Sequence, residues 1–349
     1  MRLNLISSHG LAQTLQVALG KNQFDLATAQ TEVQTGRYAD LGAEIGQSMG
    51  RSVSLHIEQA QLTTISETNS IASAQLDASQ AALKSIVETA TSFVSTMMAA
   101  RSSATGPGVA QLTAQVAFKT VADTLNTAIG GVYVFAGINN TAKPFKANLD
   151  DTSAGAGKSL VDSFFTAFGT LPGDAANGTI TSTAMGTFLD TGFDGLFSDS
   201  SWESEWSTAS DQNVVSRIAP TESVATSVNI NAPAFRKLMG AFSMISKLGM
   251  NSLGQGAFEA VADKAIKSAQ EAIGGMADLQ TELGVSQQRI TAAGNRSAIQ
   301  LNILSQSIDG LEAIDPYAAA TRVSELQTQL ETSFALTARI QKLSLLNYL

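Results

Sequence analysis

The chain has 349 residues, room for about two or three domains of ordinary size. Charged residues make up 15% and aromatics 6%, a composition suited to long helices with thin apolar seams rather than to one large globular core. The net charge of -9 gives no basic footprint for nucleic acid or an anionic membrane, and the lack of cysteine excludes disulfides, thiolate catalysis and most structural zinc sites.

No run approaches the roughly 18 apolar residues that a membrane-spanning helix requires, so no membrane insertion is expected. At the N-terminus Ser7, Ser8, His9, Gln13 and Thr14 interrupt the apolar residues, and a cleaved signal peptide is not expected. The first helix is predicted over residues 11–34. Its seam is Leu15, Leu19, Asn22, Leu26, Ala29 and Val33, spaced alternately by four and three, with Asn22 as a polar register-setting position. Gly36 is a plausible stop, and residues 37–50 read as a glycine-containing loop.

A second helix is predicted over 52–100. Leu62, Ile65, Asn69, Ala72, Leu76, Ser79, Leu83, Ile86, Ala90, Phe93 and Met97 keep a strict alternation of three and four, which is the pattern of a coiled-coil seam. At about 1.5 Å per residue such a helix is roughly 70 Å long. Thr105-Gly106-Pro107-Gly108 breaks the chain, and Ala114, Phe118, Val121, Leu125 and Ala128 carry a shorter antiparallel helix. After Gly130-Gly131 the period changes, and residues 132–136 read as a strand.

Residues 145–230 differ in character. They hold both tryptophans, Trp202 and Trp206, and concentrate phenylalanine at Phe164, Phe165, Phe168, Phe188, Phe193 and Phe197, as expected of a separate small domain. Near its end Val224, Thr226, Val228 and Ile230 alternate with period two after a strand at 214–218, predicting a hairpin turned by Ala219-Pro220-Thr221-Glu222. Helical pattern resumes with Asn231 as N-cap and Pro233 in the first turn. A break at 249–256 precedes a long helix from about Ala257, with Ala265, Ala269, Ala272, Met276, Leu279 and Leu283 on its seam. An extra four-residue step between Ser297 and Leu301 is a stutter.

Asp315-Pro316 opens a last helix, in which Val323, Leu326, Leu330 and Phe334 form a narrow stripe. Beyond Ile340 the apolar residues Leu343, Leu345, Leu346, Tyr348 and Leu349 point to nearly every side, as in a segment covered by an assembly. The fold class read from these elements is mainly α: a long antiparallel coiled-coil helical rod built from both chain termini, with an inserted smaller β-containing α+β domain. Residues 1–45 with 312–349 form a terminal helical assembly domain, residues 46–145 with 231–311 a rod domain with a short β-hairpin, and residues 146–230 an inserted outward-facing domain. The expected assembly interface is Leu15, Leu19, Leu26, Val33, Val323, Leu326, Leu330, Phe334, Ile340, Leu343, Leu345 and Leu346.

Two motifs imitate catalytic ones. Gly155-Ala156-Gly157-Lys158-Ser159 is like a phosphate-binding loop, but Thr152 stands where the first glycine belongs and no apolar strand precedes it. Gly46-Gln47-Ser48-Met49-Gly50 has nucleophile-elbow spacing, but the following histidine is His56, inside a predicted helix, and no Ser, acid, His order is available. His9 and His56 have no metal-ligand spacing. No catalytic residue, no metal and no cofactor are expected.

Thr35-Gly36-Arg37 after the first helix, and the ending Ala335-Leu336-Thr337-Ala338-Arg339-Ile340-Gln341-Lys342-Leu343-Ser344-Leu345-Leu346, resemble the flagellin superfamily. Within it, Tyr133-Val134-Phe135-Ala136-Gly137 followed by Pro144-Phe145 resembles the hook-filament junction branch, hook-associated protein 3, rather than flagellin itself. Many relatives follow the Thr-Gly-Arg region with a paired-aspartate turn, where residues 38–46 here have the single Asp40.

The resemblance implies a structural, non-enzymatic adapter of the bacterial flagellum, extracellular at the junction of hook and filament. It also implies export through the flagellar type III apparatus without a cleaved signal. Its implied partners are copies of itself in a ring or helical assembly, a second hook-associated protein on the hook side, flagellin on the filament side and a cytoplasmic export chaperone. The competing readings are a flagellin filament subunit and a type III secretion tip or translocator protein.

Overall fold

The computed structural model describes residues 8–103 and 105–346. Contacts divide the chain into two compact units, Met1–Thr64 with Ser297–Leu349, and Ile65–Arg296. The first unit begins with α1 (Ser8–Thr35), which stops where Gly36 takes φ +70°, a backbone conformation that glycine adopts without a Cβ penalty. Residues 37–50 are not the loop expected. Asp40 Oδ1 accepts from the Ala43 amide at 3.0 Å and starts α2 (Leu41–Ile45), and a 3₁₀ turn leads directly into α3 (Met49–Ala100). The unit also receives the end of α9 (Gln255–Glu312) and all of α10 (Pro316–Leu346). Asp315 Oδ1 caps α10 by accepting from the Tyr317 amide at 2.8 Å, as the Asp-Pro pair predicts.

The joints of these helices meet on one buried carboxylate. Glu312, with its side chain 1% exposed, accepts from Ser52 Oγ at 2.5 Å and Arg37 Nη1 at 2.9 Å, and lies 2.8 Å from His56 Nε2. Arg37 also reaches Asp309 at 3.0 Å. The backbone closes the same joint: the Tyr38 amide donates to Glu312 O at 3.0 Å, and the Ile314 amide donates to Gly36 O at 3.1 Å. The exit of α1 and the entry of α10 are thereby tied together like two rungs of an antiparallel ladder. Nearby, Glu32 Oε1 accepts from the Ala39 amide at 3.3 Å. Burial favours protonation of Glu312, but the Ser52 hydroxyl, His56 and Arg37 together outweigh it and hold the carboxyl below its ordinary value of 4.5.

In the second unit, α3 and α9 run antiparallel. Gln80 Nε2 donates to Gln280 O at 2.7 Å, Gln287 Nε2 to Asp77 Oδ1 at 2.6 Å, and Arg101 pairs with Asp263. The eleven seam positions predicted on α3 are buried or half-buried throughout, including the polar Asn69 and Ser79. Asn69 finds its partner in Ile218 O at 3.0 Å, on the inserted hairpin. The core is completed by α4 (Gly106–Leu125) and α8 (Pro233–Lys247), which pack on each other, and by an edge contact between Phe93 and Phe242 at 4.9 Å.

The β content is two small antiparallel hairpins. The first is β1 (Ala128–Ile129) with β2 (Val132–Tyr133), turned at Gly130-Gly131 with φ +59° and +82°, the geometry that favours paired glycines. The expected strand over 132–136 ends early: the Val134 amide still donates to Thr127 O across the hairpin at 3.2 Å, but Phe135 and Ala136, both buried, bond to distant segments. Phe135 O accepts from the Ile230 amide at 3.1 Å and Ala136 O from the Ser210 amide at 3.0 Å. Gly137, at φ +60°, sits where a Cβ would lie 2.4 Å from Gln212 O.

Residues 146–230 carry α5 (Gly155–Phe168), α6 (Ser182–Phe188), a one-turn α7 (Asp199–Ser201) between single π and 3₁₀ turns, and the second hairpin, β3 (Val215–Ala219) with β4 (Glu222–Ala225). Their aromatic residues are continuous with the helical core. Trp202 stacks on Trp206 at 5.6 Å, and Phe145 and Phe118 of α4 extend the cluster. These residues thus share one core with α4 and α8. Asn231 is not the cap of α8. Ala232 occupies that position without a side-chain bond, and Asn231 Oδ1 is committed to Trp202 Nε1 at 3.0 Å.

Two predictions follow from these joints. Because the folded carboxyl of Glu312 lies below its unfolded value, its contribution is full above about pH 4.5 and is lost as pH falls through the lowered value. Glu312→Gln should cost the first unit about 1.5–3 kcal/mol, toward the lower end because Arg37 and His56 are partly solvated. It should blunt the acid transition read by protease cleavage within α1 and α10. In the second unit, Gly137→Ala should destabilise by at least about 1–2 kcal/mol from left-handed strain alone, read as a lower thermal midpoint of the tryptophan signal.

Candidate assembly surface

The helices α1 and α10 pack against each other within the first unit. Alternating spacing brings Leu15, Leu19, Leu26 and Ala29 of α1, and Ala319, Val323, Leu326 and Leu330 of α10, toward the shared seam. Burial there is thin. Ala29, Ala319 and Leu326 fall at or below 9% exposure, while the other leucines stay half-buried.

Two expected seam residues leave it. Val33 is exposed because the step after Ala29 is three, so Glu32 turns inward to bond Ala39. Phe334 is 49% exposed because the step after Leu330 is also three, placing Ser333 and then Thr337 on the inner side. The side chains of Ile340, Leu343, Leu345 and Leu346 lie outside the described residues, as do Tyr348 and Leu349.

The outward face carries large apolar groups. Val17 is 70% exposed and Phe24 73% on α1, and Phe334 and Leu336 are about half exposed on α10. Threonines of the same two helices have turned their hydroxyls back onto the helix backbone. Thr28, Thr31 and Thr35 of α1, and Thr321, Thr328 and Thr332 of α10, donate to carbonyls four residues back at 2.8–3.0 Å. Their donors are satisfied within the helix, and a neighbouring chain would displace little bound water to cover them.

Among the described residues neither motif that imitates a catalytic one has the geometry it would need. His56 lies against Glu312 rather than Ser48, and Ser48 is part of a 3₁₀ turn. Lys158 pairs with Asp162 one helical turn on, and Ser159 Oγ donates to Glu205 at 2.7 Å, so Gly155 to Ser159 is the first turn of α5. Among the described residues no group of three or more His, Cys, Asp or Glu could hold a metal ion, and no helix is long and apolar enough to cross a membrane.

Sequence reasoning missed the Arg37, Ser52, His56 and Glu312 cluster. The available signal was a charged residue, Glu312, closing the apolar series Leu304, Ile308 and Leu311, where only a paired carboxylate is tolerated.

Comparison with known proteins follows the same ends of the chain. The family model of the bacterial flagellin N-terminal helical region matches residues 6–140, and that of the C-terminal helical region matches residues 266–349. A search of curated protein sequences finds no match. Among solved structures, a protein described as a flagellar hook-associated protein from Vibrio parahaemolyticus is similar with TM-score 0.51 at 8% identity, over 76% of this chain and 97% of that one. Bacillus cereus FlgL is similar with TM-score 0.47 at 11% identity, over 73% and 98%. The two family models together span well over half of the sequence, and they meet in the helices that build the assembly surface: the chain belongs to the flagellin superfamily.

Proposed function

We propose that this structural, non-enzymatic flagellar protein joins hook to filament. The observation that carries an assembly role is the α1 and α10 pair. Two helices of 28 and 31 residues bury few side chains between them and leave Val17, Phe24, Val33, Phe334 and Leu336 outside. Ordering a residue costs about 1–2 kcal/mol of backbone entropy, and a seam this thin offsets little of it until another chain covers the outer face.

In this reading residues 1–45 with 312–349 do the assembling, 46–145 with 231–311 form the rod, and 146–230 face outward. The partners are copies of the chain, a second hook-associated protein on one side and flagellin on the other, with a cytoplasmic chaperone covering the C-terminal part before type III export. The buried Val134-Phe135-Ala136 segment and the close approach at Gly137 support a junction protein over a filament subunit, because they give the residues of the junction-like motif a specific structural use. The flagellin-type models at both ends support the second reading, a flagellin filament subunit. Membership of the superfamily argues against a secretion tip or translocator.

Val17→Glu with Phe24→Glu should change the stability of the free chain by less than about 0.5 kcal/mol per site, because both residues are exposed. The double variant should nonetheless fail to appear on isolated flagella; normal incorporation would remove the assembly role from this face. The junction reading is tested in deletion cells. Hooks should remain while flagellin accumulates in the medium, whereas normal filaments on those cells, or long filaments grown from this protein alone on seeds, would reject it.

A further inference from the structure

Asn177-Gly178 is the one Asn-Gly pair in the sequence, and its asparagine is wholly buried in the second unit, at 0% exposure. A neutral amide buried in this way has to be bonded at both ends. Asn177 Oδ1 accepts from Thr170 Oγ1 at 2.5 Å, and Nδ2 donates to Leu171 O at 2.8 Å. The Asn177 backbone amide donates to Asp174 O at 3.1 Å, and the pair lies within a 3₁₀ turn over Ala175–Thr179.

Asparagine followed by glycine is chemically labile in a free chain, because glycine has no Cβ to obstruct attack by its own backbone nitrogen. The bond from Gly178 N to Asn177 Cγ forms as the Cγ–Nδ2 bond breaks, and the proton lost by the Gly178 amide leaves with ammonia. Water then opens the cyclic imide at either carbonyl, giving aspartate, or isoaspartate in which the chain runs through Cγ. The folded loop opposes each step. Both ends of the side-chain amide are bonded, the helical turn directs the Gly178 nitrogen back along the turn rather than at Cγ, and the side chain is sealed from solvent.

The product does not fit the same place. Aspartate at 177 would set a carboxylate oxygen against Leu171 O, two acceptors with no hydrogen between them, inside a sealed site. The loop that this bond shapes is seated on the 249–254 turn by close backbone contact: a Cβ on Gly249 would lie 2.3 Å from Gly173 N, and one on Gly254 would lie 2.7 Å from Gly178 O. Glycine at 178 is not itself demanded by the fold. It has no positive φ, and the nearest atom to a Cβ there would be Ser252 O at 3.8 Å, an ordinary contact. The labile pair is therefore separable from the structure that shields it.

We propose that Asn177-Gly178 is a deamidation site gated by folding. It is inert in the folded chain, reacts whenever residues 170–178 are unfolded, and permanently impairs closure of that loop on the 249–254 turn. The proposal rests on neither the assembly surface nor the junction reading.

The test incubates the full chain, folded in buffer and unfolded in urea at the same pH and temperature, and follows the peptide containing residue 177 by mass spectrometry as ammonia is exchanged for water. Conversion is expected to be at least about tenfold faster in urea, since in buffer it waits for local opening. Gly178→Ala should leave the circular dichroism spectrum of the folded chain unchanged and slow the reaction in urea severalfold, because the new Cβ hinders attack. Asn177→Asp should keep the tryptophan signal while amide exchange rises in residues 170–180 and 249–254. The proposal is overturned if the folded chain converts as fast as the unfolded one, or if Gly178→Ala reacts in urea as fast as the parent chain. It is also overturned if neither Asn177→Asp nor the chain deamidated in urea and refolded exchanges faster in those two segments.

Discussion

The first unit depends on one buried negative charge. A carboxylate that has lost its water is strongly unfavourable unless charged or polar donors replace it, and Glu312 receives such replacements from three directions: the segment after α1, and two successive turns of α3. Removing any one partner leaves the others organised around a charge less well satisfied. A joint built of ions tolerates little slippage, since sliding α3 by one residue against α9 would move both Ser52 and His56 away from the acceptor. An apolar contact at the same place would hold the helices together while specifying their register less closely.

The second unit is held by packing instead. Its core mixes the small residues of helical seams, such as Ala90, Ala110, Ala114 and Ala269, with the rings of the inserted segment. Alanine seams let helices approach closely and leave little room for large side chains between them. The bulky aromatic groups therefore concentrate where helices give way to irregular structure, around Trp202 and Trp206. The inserted hairpin is fastened to the helices at both levels: Asn69 bonds the backbone of Ile218, and Glu222 lies between Arg289 and Arg296.

Much of this was legible in the sequence where one rule acted alone. The seam of α3 repeats long enough that its period could be read from spacing, and the cap at Asp315 is a local hydrogen bond within three residues. The second hairpin also followed from local turn chemistry at Pro220, but the first was only half read: Ala128, expected on the seam of α4, lies instead in β1, because α4 ends at Leu125. Legibility failed where partners are distant. Arg37 and Glu312 are 275 positions apart, and nothing in the neighbourhood of either names the other. It also failed where two rules competed. Asn231 has the composition of a helix cap, but the buried indole of Trp202 needed an acceptor and took its side chain. Val33 and Phe334 fit a heptad on paper, yet a straight helix of 3.6 residues per turn drifts off that repeat, and Glu32 and Ser333 took the inner positions.

Among the described residues, the pairing of α1 with α10 is secured most firmly where Gly36 and Ile314 share a backbone bond. Away from that point the described turns are held by little more than a buried or half-buried leucine or a small side chain. Opening therefore requires no cooperative loss of a core. The pair behaves as a zipper with a fixed base, whose closed length at any moment is set by a balance between weak rungs and chain entropy. Amide exchange along either helix should form a gradient rather than a plateau, slowest next to the base and fastest at the far ends, with no single free energy describing the whole.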